Sequence, residues 1–174
     1  KKDSRNEYLH QLLAEAYIRD IKHELAIEHH KIAISINPSN PENYYLLGSD
    51  YIWSGNKEMA IKNFIITLNI DHKYYEAYYA LSRVHTIKIT DNIAKNILEL
   101  NKISSLPDKN KAFLNFTLAK IYDDKNDISN FTAHITKANS YMKNVSKFNF
   151  SKTYELLEKI KYKFSNKSEL SNFS

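Results

Sequence analysis

Apolar and polar positions alternate along this chain with a helical period, and the helices themselves recur. Tyr17, Tyr51 and His85 are spaced 34 residues apart, as are Leu13, Leu47 and Leu81, and Ala26, Ala60 and Ala94. Within each period, bulky residues fall at one set of offsets and small residues at another. This spacing predicts two amphipathic helices per unit that meet at the small positions. A pair of helices of this size cannot bury its apolar face alone, so each unit must stack on its neighbours. The first unit runs over residues 7–40, and its second helix stops at Asn37-Pro38, where proline withholds a donor. The second, 41–74, is the most regular: Tyr44, Leu47, Gly48, Tyr51, Gly55, Ala60 and Phe64 all sit at repeat positions.

A third unit over 75–108 keeps Tyr78, Leu81, Ser82 and Ala94, with His85 in place of tyrosine and no glycine to close its turn. The fourth, 112–145, is displaced: His85 to Tyr122 is 37 residues, and the surplus falls in the polar stretch Ser104-Ser105-Leu106-Pro107-Asp108. Beyond it Ala119, Tyr122, the turn Lys125-Asn126-Asp127, Ile135 and Ala138 restore the pattern, with Phe131 where a small residue is expected. Tyr154, Leu157, Ile160, Lys161 and Phe164 recur at helical spacing, so 151–164 is expected to form a capping helix and 165–174 a tail without periodicity. These offsets resemble tetratricopeptide repeats. The resemblance implies one all-α domain over 1–174, a right-handed α-α superhelix of about four helix-turn-helix repeats plus a C-terminal capping helix.

Composition narrows the possible functions. Two glycines and three prolines leave few tight turns and no glycine-rich phosphate cradle. The absence of cysteine excludes a disulfide framework or thiolate metal site and fits a reducing compartment, so a cytoplasmic location is expected. No apolar run approaches the ~20 residues of a membrane span, and residues 1–10 lack the apolar segment of a signal peptide. The start at Lys1, without an initiator Met, reads as a cut from something longer. The net charge of +5 is carried mainly by lysine, with Arg5, Arg19 and Arg83 the only arginines, which argues against nucleic acid as the partner. Sequons at Asn115, Asn130, Asn144 and Asn166 are those an asparagine-rich chain produces by chance.

No catalytic constellation emerges. The seven histidines contain no i,i+4 pair, and the neighbours His29 and His30 point about 100° apart on a helix, so no metal site and no cofactor are expected. His30 and His85 fall on packing positions. Asp123, Asp124 and Asp127 lack calcium-loop spacing and are read as ending one helix and capping the next.

What remains is the concave surface. In tetratricopeptide repeats the first helix of each unit lines the groove, through positions two, five, nine and twelve. Those positions here are Tyr8, Gln11, Glu15 and Ile18, then Glu42, Tyr45, Ser49 and Ile52, then Glu76, Tyr79, Arg83 and Thr86, then Phe113, Phe116, Lys120 and Asp123. The candidate partner-binding groove is Tyr45, Ser49, Ile52, Tyr79, Arg83, Thr86, Phe116 and Lys120, with Tyr45, Tyr79 and Phe116 expected to stack as a ladder. Such a surface suits an extended or helical peptide with apolar anchors and an acidic group. The Lys and Asn pattern of a chaperone-tail carboxylate clamp is missing, since Gln11, Glu15, Glu76 and Ala80 occupy its positions.

A narrower resemblance covers 75–164. The run Ala112-Phe-Leu-Asn-Phe-Thr-Leu-Ala-Lys-Ile-Tyr-Asp-Asp-Lys-Asn-Asp127, with Phe131-Thr-Ala-His134 and Lys137-Ala-Asn139, resembles the last repeat before the catalytic domain of bacterial tetratricopeptide-repeat sulfotransferases. Ser82-Arg83-Val84-His85 with Thr90-Asp91 is similar to that family's degenerate repeat. The resemblance implies a non-catalytic amino-terminal arm, because the phosphate loop and the catalytic His or Glu of the family have no counterpart here. Three readings follow: that arm, acting as a protein-interaction scaffold; a free-standing adaptor or assembly factor; and, behind both, a helical-repeat RNA binder. With 13 Tyr and 8 Phe, the chain also has apolar surface for pairing with a second copy.

Overall fold

A computed structural model describes residues 4–84 and 91–145. Its elements, among the described residues, are eight helices: α1 (Ser4–Arg19), α2 (His23–Ile36), α3 (Pro41–Trp53), α4 (Lys57–Ile70), α5 (Tyr75–Ser82), α6 (Asp91–Asn101), α7 (Asp108–Asp124) and α8 (Ile128–Val145). His85, Thr86, the expected capping helix 151–164 and the tail lie outside the described residues. The helices build an α-α superhelix. Each of α1, α3 and α7 packs on the helix that follows it, while α2 packs on α3, α4 on α5, and α7 on both α5 and α6.

Small side chains stand at the closest approaches. Ala14, Ala26, Ala33, Ala60, Ala77, Ala112 and Ala138 are fully buried. Around them Leu47, Phe64, Tyr78, Leu81, Ile97, Leu114 and Leu118 form a continuous core from α3 to α7. Burying each such side chain contributes about 1.5–3 kcal/mol, which is what holds the short helices in place.

Three of the turns close in one way. The amide N–H donates to the carbonyl five residues earlier in Lys22 to Tyr17 (2.9 Å), Asn56 to Tyr51 (2.8 Å) and Asp127 to Tyr122 (2.9 Å). The residue before each donor is left-handed: Ile21 (φ 59), Gly55 (φ 80) and Asn126 (φ 57). This is the Schellman closure, which satisfies the last carbonyls of one helix and reverses the chain. Glycine adopts that conformation freely and asparagine tolerates it, but a β-branched residue is strained there. The next residue caps the second helix. Asn56 accepts from the Met59 N–H and Asp127 from the Asn130 N–H, whereas Lys22 has no side-chain cap bond.

The polar stretch 104–107 lies in a connection between helices. Residues 102–107 connect α6 to α7. Pro107 stands at the N-cap of α7 in extended backbone, and the N–H groups of Asn110 and Lys111 donate to its carbonyl.

Buried polar groups join the helices. The Glu7 carboxylate accepts from the Asn37, Asn40 and Asn43 side-chain amides at 2.9, 2.6 and 2.9 Å, tying α1 to the α2–α3 turn. Burial pushes this carboxyl up, but the Asn40, Asn37 and Asn43 donors together hold it below its ordinary value. His30 and Asp50, both buried, meet at 2.5 Å between α2 and α3. Asn115 on α7 donates to Asn101 Oδ1 (2.9 Å) and accepts from His134 Nδ1 (2.8 Å), linking α6, α7 and α8.

The end units use the same three positions differently. In the last, His134 stacks on Tyr122 at 5.3 Å and donates to Asn115. In the first, His29 stacks on Tyr17 at 5.3 Å, and the place of Asn115 is taken by His10, whose Nδ1 lies 2.8 Å from Nδ1 of His29. A bond between those two nitrogens needs one protonated and the other bare. Burial and the His29 charge both push His10 below the ordinary imidazole value.

Ile21→Asn combined with Lys22→Asn, which installs the residue types used at the other turns, is expected to raise stability by about 1–2 kcal/mol in urea unfolding. His10 disfavours its charged form in the fold, so its contribution is complete above the ordinary imidazole pKa of ~6.5 and is lost as pH falls below it. Glu7 acts in the same direction but only at carboxylate pH, below ~4.3. Thermal melts should therefore show a first loss of stability on acidification below about pH 6.5. Burial, with the Lys137 charge, also holds His134 below its ordinary value, so it acts in the same window; His10→Asn should therefore shrink that step and leave the lower one, and an unchanged profile would refute the assignment.

Candidate functional site

The groove is built from the first helix of each unit, with short loops and the second helices closing its sides. Among the described residues, depressions lie along it, three of them in succession. The first, of about 380 Å³, lies between α1 and α3 and is lined by Tyr8, Gln11, Leu12, Glu15, Ile18, His30, Glu42, Leu46, Ser49, Asp50 and Trp53. The second, about 420 Å³, lies between α3 and α5 over the ring of Phe64, with Tyr45, Ser49, Ile52, Trp53, Lys57, Tyr79, Ala80, Arg83 and Val84. The third, also about 420 Å³, is framed by Tyr79, Ser82, Arg83, Phe116, Ala119, Lys120, Asp123, Phe131 and Ile135. Neighbouring depressions share walls: Ser49 and Trp53 belong to the first two, Tyr79 and Arg83 to the last two.

The residues named from the repeat offsets fall on this surface as follows. Tyr8, Gln11, Glu15 and Ile18 all line the first depression, Tyr45 and Ile52 the second, and Phe116, Lys120 and Asp123 the third, with Glu42 and Ser49 as given above. Thr86 lies outside the described residues. Glu76 lines none of the three; it forms an ion pair with Lys109 at 2.9 Å, across α5 and α7.

The expected three-ring ladder is only half present. Tyr79 packs on Phe116 (5.5 Å) and on Phe113 (5.4 Å). Tyr45 instead meets Phe64 of α4 (5.8 Å) and Tyr74 (5.0 Å), and the second depression opens between it and Tyr79. Burial, with the Glu76 charge, pushes the Tyr45 phenol above its ordinary value and keeps it neutral.

The two cations at the C-terminal end differ in availability. Lys120 lies 2.6 Å from Asp124 and 3.4 Å from Asp123, and the Asp124 bond, with Asp123, raises its ammonium above the usual lysine range. Its charge is already answered within α7. The Arg83 guanidinium sits 5.7 Å above the Tyr79 ring, and among the described residues it has no carboxylate partner. Exposed and backed by an aromatic face, it is poised for an anionic group.

Trp53 was absent from the sequence-derived set. The only tryptophan of the chain, it is 69% exposed at the C-terminal end of α3 and forms a wall of two depressions. A lone tryptophan beside a groove position was the available signal. Lys57, Phe131 and Ile135 were also missed, since they lie on second helices that the inner-face rule does not consider.

Histidine spacing along single helices hid the pairing of His10 with His29 across two helices. No group of three or more His, Asp or Glu side chains that could hold a metal occurs among the described residues. No described helix is long and apolar enough to cross a membrane.

No protein-family model matches the chain, and no curated protein does. Among solved structures it matches the crystal structure of MamA, with 23% sequence identity, a TM-score of 0.59 and coverage of 84% of each chain. At that identity the likeness speaks to the fold alone, and with the eight helices described it supports an α-α superhelix.

Proposed function

We propose that this chain is a protein-interaction scaffold that holds a segment of a partner protein in its concave groove. Arg83 carries the proposal: it is an exposed guanidinium over an aromatic ring, without a carboxylate partner among the described residues, at the wall common to two depressions. Tyr45, Ile52 and Phe64 supply apolar surface beside it, so the favoured ligand is a peptide with an apolar anchor and a nearby acidic group. The groove is open along its length, which suits a polypeptide better than a small substrate.

Arg83→Ala and Tyr79→Ala are each expected to weaken the purified partner's affinity about tenfold, the size of effect usual for an aromatic or arginine anchor. Arg83 is exposed, so the melting temperature of Arg83→Ala should match that of the wild type. Unchanged affinity in both variants would remove this surface from the interface.

For the parent protein we infer the amino-terminal arm of a sulfotransferase, on the likeness of 75–164 to the repeat that precedes that catalytic domain. The parent reading frame is then expected to continue past Ser174 into a glycine- and serine-containing phosphate loop within a few tens of residues. A stop, or an unrelated fold there, would leave the free-standing adaptor as the reading.

A further inference from the structure

The three depressions differ in charge, and the order of the charges constrains the partner. In the first, Glu15 and Glu42 face the groove and no lysine or arginine lines it. The other acid there, Asp50, is buried and engaged by His30, so it is not available to a ligand. Glu15 shares its charge with Arg19 at 2.6 Å on the exposed side of α1, while Glu42 has no cationic partner among the described residues. In the second depression the sign reverses: Lys57 and Arg83 line it without any carboxylate. Neither is paired with an acid among the described residues. The third shares Arg83 with the second, and its own cation, Lys120, is held by Asp123 and Asp124.

Trp53 stands where negative gives way to positive, exposed on the wall between the first two depressions, with Ile52 beside it at 40% exposure. Exposing an indole to water forgoes the stabilisation its burial would bring, and here the ring lies beside an apolar trough floored by Phe64.

We infer that the groove recognises a bipolar peptide: a basic side chain over Glu42 and Glu15, an apolar side chain against Trp53 and Phe64, and an acidic side chain on Arg83 and Lys57. The inference rests on the groove being the docking surface and adds which charges the partner carries and in what order. A segment acidic throughout would set its own carboxylates against Glu42. One basic throughout would meet Arg83. Like-charge contact is the means by which such a surface excludes wrong partners.

Trp53 is also the reporter, since its emission is the only indole signal in the protein. Three synthetic peptides of about nine residues, roughly 30 Å when extended, share a Leu-Phe-Leu centre. They carry Lys at one end and Glu at the other, Glu at both ends, or Lys at both ends. Each is titrated into the full chain at low and high salt. The bipolar peptide should bind about fivefold more tightly than either single-sign peptide, with the advantage shrinking as salt rises.

Glu42→Lys should transfer the preference to the acidic peptide, and Arg83→Glu to the basic one. Glu42→Gln should erase the preference at the acidic end of the groove without adding charge, with circular dichroism confirming the fold. If the acidic peptide binds as tightly as the bipolar one and Glu42→Lys changes nothing, the charge order is wrong while the docking surface stands. If none of the peptides shifts the Trp53 emission, both readings fall. A shift produced instead by single-stranded RNA, steeply weakened by salt, would likewise overturn both.

Discussion

The Phe64 ring lies against the backbone of α3 only because residue 48 has no Cβ. A methyl group at Gly48 would stand 2.7 and 2.9 Å from two ring carbons of Phe64, inside van der Waals contact, and that ring is buried within the core. Much of the interior is tied to this close approach of α3 and α4. Phe64 touches Tyr45, Tyr45 touches Tyr74 at the start of the third helix pair, and the same ring floors the central depression. Well-packed interiors transmit such constraints because they have few voids into which a displaced ring could move. The position of one glycine therefore sets both the spacing of two helices and the depth of the groove above them.

Apolar packing alone would let neighbouring helices slide, and the buried polar groups oppose that. Glu7 can receive its three amides only at one setting of α1 against the α2–α3 turn, and His30 can reach Asp50 only at one setting of α2 against α3. A buried donor or acceptor left without its partner costs about 1–3 kcal/mol, so a slipped arrangement is penalised at each such point. Asn115 does the same for α6, α7 and α8. Depressions made of side chains from two or three helices keep their shape because these bonds fix the register.

The 34-residue period made the helix pairs, their turns and the inner face legible, because each follows from which positions must be apolar or small. Tyr8, Gln11, Glu15, Ile18, Tyr45 and Ile52 could thus be placed on the groove by offset alone. Offsets describe where a Cα sits, not what reaches past it. Hence the contact of Phe64, from a second helix, with Tyr45 was not foreseen, nor Trp53 one residue beyond a groove position. The His10–His29 pair was hidden for a related reason: a search for spacing within one helix cannot see residues 19 apart that a turn brings face to face. Left-handed backbone at Ile21 was equally invisible, since nothing about isoleucine announces it; only its equivalence to Gly55 and Asn126 does.

That equivalence separates what the fold requires from what one unit happens to use. Turn geometry is common to three units, whereas the residues that realise it range from glycine to isoleucine, so the backbone conformation is imposed by the stacking and the side chain only modulates its cost. Groove charge behaves in the opposite way. Glu15 and Ser49 stand at one offset, and Arg83 and Lys120 at the same offset in later units, yet no packing demand distinguishes them, because all four project from the inner face. Where stacking leaves the choice of side chain free, a change of sign along the groove costs the fold little. On the proposed reading, it is at these unconstrained positions, and not in the repeated ones, that the selectivity of the surface resides.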